Sequence, residues 1–130
     1  MTLVLDASAA AAVLFREPSA ERFVRLLFET SEVIVPPIFP FELANVARSK
    51  VLRHELAWSD AEALLGETQG WPVTLVDVGW KDAWSVARRH GLTVYDASYL
   101  SLAIARDLSL LSLDDALVRA AGKRAVRLRS

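Results

Sequence analysis

Four acidic residues, Asp6, Glu42, Asp96 and Asp114, stand in apolar surroundings, where a charge is least expected. Asp6 ends the run Met1-Thr2-Leu3-Val4-Leu5, and Glu42 follows Ile38-Phe39-Pro40-Phe41. Asp96 follows Leu92-Thr93-Val94-Tyr95, and Asp114 follows Leu108-Ser109-Leu110-Leu111-Ser112-Leu113. Carboxylates are almost never fully buried unless they are paired or bound to a metal. Four of them gathered with no buried cation beside them suit a hard divalent ion. Unit charges about 4 Å apart repel by roughly 4 kcal/mol at an effective dielectric near 20. A cation such as Mg²⁺ or Mn²⁺ removes that repulsion, activates water and stabilises charge on a phosphate. Mg²⁺ keeps several waters and uses one or two direct carboxylates, so some of the four are expected to act through water. The chain has no cysteine, which excludes disulfides, thiolate catalysis and cysteine zinc sites. His54 and His90 are its only imidazoles, which weakens any zinc or triad reading.

The elements that must position these acids alternate between strand-like and helix-like. Residues 2–6 read as a buried strand, followed by an alanine-rich helix over 7–15. Residues 19–29 have helical spacing at Phe23, Leu26 and Leu27. Val33-Ile34-Val35 is a second strand, stopped by Pro36-Pro37. A helix then runs to about His54, with prolines tolerated in its first turn. Ser59 and Glu62 form a capping-box pattern for the next helix. Residues 73–78 read as a minor strand, 80–89 as a helix closed by Gly91, and 96–107 as a helix. Residues 109–113 read as a strand, 115–121 as a short helix, and 125–128 as a final edge strand. This alternation predicts a parallel sheet covered on both faces in one domain of 130 residues. Three of the acids lie where a strand-like run gives way to a helix-like one. In a parallel α/β sheet such junctions share the carboxyl edge, where ligands bind.

Each acid also has an ordinary structural reading. Asp6 and Asp96 are helix-start carboxylates, suited to capping or to the helix dipole. Asp96 shares its face with Tyr99, Leu100 and Ala103, which points it inward. Glu42 shares a face with Asn45, Val46 and Ser49, and is otherwise a partly exposed helix glutamate. Ser112 and Asp115 fit a capping box, which leaves Asp114 as the ligand candidate of the adjacent pair.

The segments Val4-Leu5-Asp6-Ala7-Ser8, Phe41-Glu42-Leu43-Ala44-Asn45-Val46, Tyr95-Asp96-Ala97-Ser98-Tyr99-Leu100-Ser101-Leu102-Ala103 and Leu111-Ser112-Leu113-Asp114 together resemble the four signature blocks of PIN-domain nucleases. Within that group the chain is most similar to VapC ribonuclease toxins of toxin–antitoxin modules, over essentially its whole length. The resemblance implies a three-layer α/β/α, Rossmann-like domain with a short-stranded, mainly parallel sheet. It implies a Mg²⁺- or Mn²⁺-dependent endoribonuclease in which Asp6, Glu42, Asp96 and Asp114 are the acidic quartet. Ser8 and Ser112 match the supporting hydroxyl positions, with Asn45 beside Glu42. A cognate antitoxin, VapB-like, follows, as do a homodimer and a heterotetramer or larger assembly with that antitoxin. Residues 59–90 fall in the variable part of the family.

RNA must still approach an acidic pocket, and the net charge of -1 offers no global attraction. Arg48, Lys50 and Arg53 lie beyond Glu42, and Arg119, Lys123, Arg124, Arg127 and Arg129 crowd the end of the chain. Such clusters hold phosphates or are simply solvated helix surface. Trp58, Trp71, Trp80 and Trp84 read as core or interface packing. The apolar fraction of 53% leaves the helices over 9–15 and 23–28 either covering the sheet or offering a groove to an antitoxin helix. No apolar run reaches a membrane span, and no export signal is apparent, so the expected location is cytoplasmic. Two other classes stay open: a Rossmann-like phosphatase with Asp6 as nucleophile, and a catalytically inactive PIN-like binding module.

Overall fold

Leu3, Val4 and Leu5 are all buried although successive strand residues point to opposite faces, so strand β1 (Thr2–Leu5) is covered on both sides. The computed structural model describes residues 1–127. β1 pairs in parallel with β2 (Glu32–Val35) and with β4 (Ser109–Leu111), and β2 pairs in parallel with β3 (Val73–Leu75). The strand order is β3-β2-β1-β4. The chain therefore leaves β1 towards one side of the sheet and returns on the other, which makes the β1/β4 boundary a topological switch point. Leu5 is in register with Leu111, so Asp6 and Ser112 emerge side by side at the carboxyl edge.

Helices flank this sheet in a three-layer α/β/α arrangement. Helix α1 (Ala7–Leu14) is buried at every position except Ser8 and Val13. Its alanines let it pack closely against α3 (Phe39–Leu52). The segment over 9–15 is thus mostly interior, with Val13 and Phe15 half-buried. Helix α2 (Glu21–Glu29) is amphipathic, with Phe23 fully buried and Phe28 86% exposed. Helix α4 (Trp58–Glu67) joins α3 through a small satellite cluster of Ala47, Val51 and Ala61. Helices α5 (Trp80–His90) and α6 (Val94–Arg106) pack on each other, and α6 reaches β1, β4 and α7 (Asp115–Ala121). Gly91 between α5 and α6 has φ +67°, a left-handed conformation that suits glycine and ends α5.

Several local expectations differ from the fold. Leu92–Tyr95 is no strand: Thr93 caps α6, and Asp96 sits in the first turn of that helix. The β-branched and aromatic composition of this segment favours a strand only where a neighbour is available to pair with, and Gly91 has just turned the chain. The minor strand ends at Leu75 rather than at 78. Ser59 caps nothing, because α4 begins one residue earlier with no side-chain cap bond. Ala125 forms an isolated parallel bridge to Leu110, while Leu128 of the expected edge strand lies outside the described residues, as does Arg129. Trp58, Trp80 and Trp84 are exposed and do not belong to the core. Among the described residues no helix is long and apolar enough to cross a membrane.

Candidate active site: four carboxylates at the switch point

Asp6 is the residue at which β1 becomes α1. It is the N-cap of α1, and its Oδ1 accepts the Ala9 N–H at 3.0 Å. The capping reading is therefore correct, and it does not exhaust the residue's environment. Ser8 Oγ donates to the Asp6 carboxylate at 2.7 and 2.9 Å from its two oxygens, and Ser112 Oγ donates to Oδ2 at 2.6 Å. Each hydroxyl is in turn fixed by a backbone donor of the segment following β4. Leu113 N–H donates to Ser8 Oγ at 2.9 Å, and Asp114 N–H to Ser112 Oγ at 3.0 Å. Two serines thus tie the ends of β1 and β4 together through one carboxylate.

Asp114 caps α7, with Oδ1 accepting the Leu117 N–H at 2.8 Å. The expected Ser112–Asp115 capping box does not form, because Ser112 is turned to Asp6 and Asp115 is exposed. Asp96 N–H donates to Thr93 Oγ1 at 3.1 Å, which fixes the first turn of α6. Glu42 lies in the first turn of α3, after Pro40. Asp6, Glu42, Asp96 and Asp114 all line one open cavity of about 510 Å³, together with Ser8, Asn45 and Tyr99. Ser112 stands behind it, against Asp6.

Among the described residues no lysine, arginine or histidine lines this cavity. Asp6, only 4% exposed, is raised to a pKa of about 6, chiefly by burial and slightly by Asp114, against the lowering effect of its three donors. Glu42 is raised by burial and then by Asp96. Asp96 is raised by burial and then by Asp114. The acids therefore disturb one another in a chain across the cavity, with no counter-charge lining it among the described residues. Tyr99 lies one turn beyond Asp96, and its hydroxyl proton is held first by burial and then by Glu42. Tyr99 Oη is a buried side-chain polar atom that makes no hydrogen bond of ordinary geometry among the described residues, Glu42 included.

These features fit a hydrated hard cation. The donors are oxygens, the charge is uncompensated, and an orphaned hydroxyl waits in the same cavity for a partner that water supplies. Among the described residues no three acidic or imidazole side chains stand close enough to hold an ion by themselves.

Ser112→Ala isolates the role of the serine tether. It removes a donor that lowers the proton affinity of Asp6 and orphans the Asp114 N–H. The Asp6 titration midpoint, read from its carboxyl carbon resonance without metal, is expected to move above about 6. Stability should fall by roughly 1–3 kcal/mol. An unmoved midpoint would reduce Ser112 to packing.

Among the described residues none of the basic candidates lines the cavity. Lys50 is paired with Glu17 at 3.2 Å and sits 4.9 Å from the centre of the Phe15 ring, so it serves the α3 packing. Arg53 pairs with Glu55, Arg124 pairs with Asp107, and Arg48 and Arg119 are exposed. His54 and His90 are exposed. Sequence reasoning passed over Phe41 and Tyr95, which line the cavity as neighbours of Glu42 and Asp96. It noted Tyr99 only as a face-mate of Asp96, and that i+3 spacing was the available signal.

Residues 3–123 match the family model of the PIN domain. The chain is 36% identical over 118 residues to Ribonuclease VapC3 of Pyrobaculum aerophilum, covering 88% of this chain and 90% of that protein. It is 32% identical over 114 residues to VapC ribonuclease Mb0985 of Mycobacterium bovis, covering 86% and 85%. Its fold superposes on the crystal structure of PAE2754 from Pyrobaculum aerophilum with a TM-score of 0.77 at 23% identity, over 97% of this chain and 88% of that one. It also superposes on VapBC2 from Rickettsia felis, solved with a DNA fragment from their promoter, with a TM-score of 0.64 at 13% identity, over 97% and 96%.

Proposed function

The chain belongs to the PIN-domain family and is of the VapC type, and from that premise we propose that it is a metal-dependent endoribonuclease, the toxin of a toxin–antitoxin module. The observation that carries this reading is the cavity at the switch point, where four carboxylates meet with no cationic side chain among the described residues. The relatives named as VapC ribonucleases support RNA as the substrate. We take residues 1–130 as a single PIN domain and its location as the cytoplasm.

Asp6, Glu42, Asp96 and Asp114 would hold Mg²⁺ or Mn²⁺, in part through its waters. The ion supplies charge neutralisation at the scissile phosphate and a more acidic water. The chain's own residues do the rest. Ser8 and Ser112 hold Asp6 in one orientation by donating to both of its oxygens. Thr93 caps the helix that carries Asp96, and Asn45 lines the cavity one turn beyond Glu42 on α3. Tyr99 offers a hydroxyl to the water shell. Arg48, Arg53 and Arg119, which are exposed, are the remaining candidates for flanking phosphates, while Lys50 is committed to Glu17.

A VapB-like antitoxin and a homodimer, assembling into a heterotetramer or larger, complete the reading. An apolar groove of about 230 Å³ supports the partner, lined by Val13, Val24, Leu27, Phe28, Trp71 and Val73 among others. It suits the apolar face of a helix. A phosphatase would instead need Asp6 free to attack, whereas both Asp6 oxygens are engaged by donors.

The test is chemical. The purified protein is expected to cut single-stranded RNA internally in Mg²⁺ while releasing no phosphate from a generic monoester. Phosphate release without RNA cleavage would favour the phosphatase, and neither activity would favour a binding module.

A further inference from the structure

A second cavity adjoins the acidic one and shares Ile38 and Tyr95 with it. It measures about 280 Å³, and its wall includes Pro36, Pro37, Val78 and Trp80, with no charged side chain among the described residues. Tyr95 is 61% exposed and Trp80 is 70% exposed, although both rings sit in an apolar lining. Lys81 Nζ stands 5.8 Å from the centre of the Trp80 ring, which puts a cation beside the groove.

We propose that this groove is a nucleobase subsite, in which Tyr95 and Trp80 hold an unstacked base next to the scissile phosphate. The proposal rests on the endoribonuclease reading of the acidic cavity. A phosphate at that cavity is joined on each side through one sugar to a base, so one of the two flanking bases is within reach of the space that adjoins it. Tyr95 is the common wall, and the space beyond it is apolar and aromatic. A neutral base can leave water for such a surface without the cost of stripping a charge. An aromatic face stacks on any base, so the subsite demands an unpaired nucleotide more than a particular sequence. Lys81 adds attraction for the backbone on the far side. Phe41, exposed at the mouth of the acidic cavity, adds a further aromatic surface to the same approach.

The experiment uses a short single-stranded RNA cut at one bond, and the same RNA with an abasic nucleotide on either side of that bond. Wild-type protein should prefer the intact RNA over one of the abasic forms by about five- to 150-fold in kcat/KM. Tyr95→Ala and Trp80→Ala should bring that ratio close to one, while Tyr95→Phe keeps it. Trp58→Ala is the control, since Trp58 is exposed but lines neither cavity. Binding of the same RNAs in an Asp6→Asn background gives the ratio independently of cleavage. An undiminished ratio in both alanine variants, or no discrimination by the wild type, overturns the proposal. So does a loss of dimer or antitoxin capture in those variants with the RNA ratio unchanged, which would make the groove a protein contact. A wild type that discriminates in binding but never cleaves would defeat the nuclease reading and leave the subsite standing.

Discussion

Asp6→Asn is expected to abolish RNA cleavage and, in the same protein, to raise its thermal stability. The two effects have one cause. Asp6 is buried, accepts hydrogen bonds from Ser8, Ser112 and Ala9, and is still pushed up to about 6 from 3.8. Its ionised form is therefore disfavoured by the fold, by roughly 3 kcal/mol if the whole shift is counted at neutral pH. Asparagine keeps the shape and the Ala9 cap but carries no charge, so up to about that amount is returned in the absence of metal. For a domain of this size that is a rise of several degrees in Tm. Loss of one of the four carboxylates that hold the cation, directly or through its waters, should lower the cleavage rate by at least about a thousandfold. Single-turnover cleavage of the two proteins in Mg²⁺, and differential scanning calorimetry of both in EDTA, check the two halves. A variant that loses activity and also stability would mean that the charge of Asp6 is wanted by the fold rather than by the ion.

The second large effect is linkage between metal, protons and stability. A carboxyl whose native pKa exceeds its unfolded one holds its proton longer in the folded state. Its stabilising effect is complete below pH 3.8, declines as the pH climbs towards about 6, and is gone above that. Glu42 and Asp96 are shifted in the same direction, so they act with Asp6. The stability of the wild type minus that of Asp6→Asn, measured in EDTA, should therefore fall across this window and level off near neutrality. Saturating Mg²⁺ should reverse the loss for the wild type, by about 2.7 kcal/mol at a hundred times its dissociation constant. Asp6→Asn should gain far less. Equal gains in both proteins would place the ion elsewhere.

The site was legible in the sequence to the extent that chemistry overrode packing. A carboxylate after Leu3-Val4-Leu5 or after Leu108–Leu113 has no reason to be there unless it caps a helix or meets a cation, and Asp6 and Asp114 turn out to cap helices at the edge of one cavity. Glu42 was legible through its helix face. Asp96 was legible for its face as well, although the strand expected before it is absent, because Thr93 starts a helix there. What could not be read were relations across the chain. The hydroxyl of Ser112 is turned to Asp6, 106 residues away, and no local pattern distinguishes that from a helix cap. The salt bridge that occupies Lys50 comes from Glu17, on a segment remote in sequence. The exposure of Trp80 depends on α5 covering α6 with its alanine face, Ala83 and Ala87, so composition alone puts the tryptophans in the wrong layer.

The central claim is that the acidic cavity cuts RNA through a divalent ion, and single-turnover cleavage of an end-labelled single-stranded RNA tests it most directly. The wild type should cut in Mg²⁺ or Mn²⁺, stop in excess EDTA and resume when the ion is restored, while Asp96→Asn stays inactive throughout with its fold intact by circular dichroism. Full cleavage in EDTA, or by Asp96→Asn, would contradict the account.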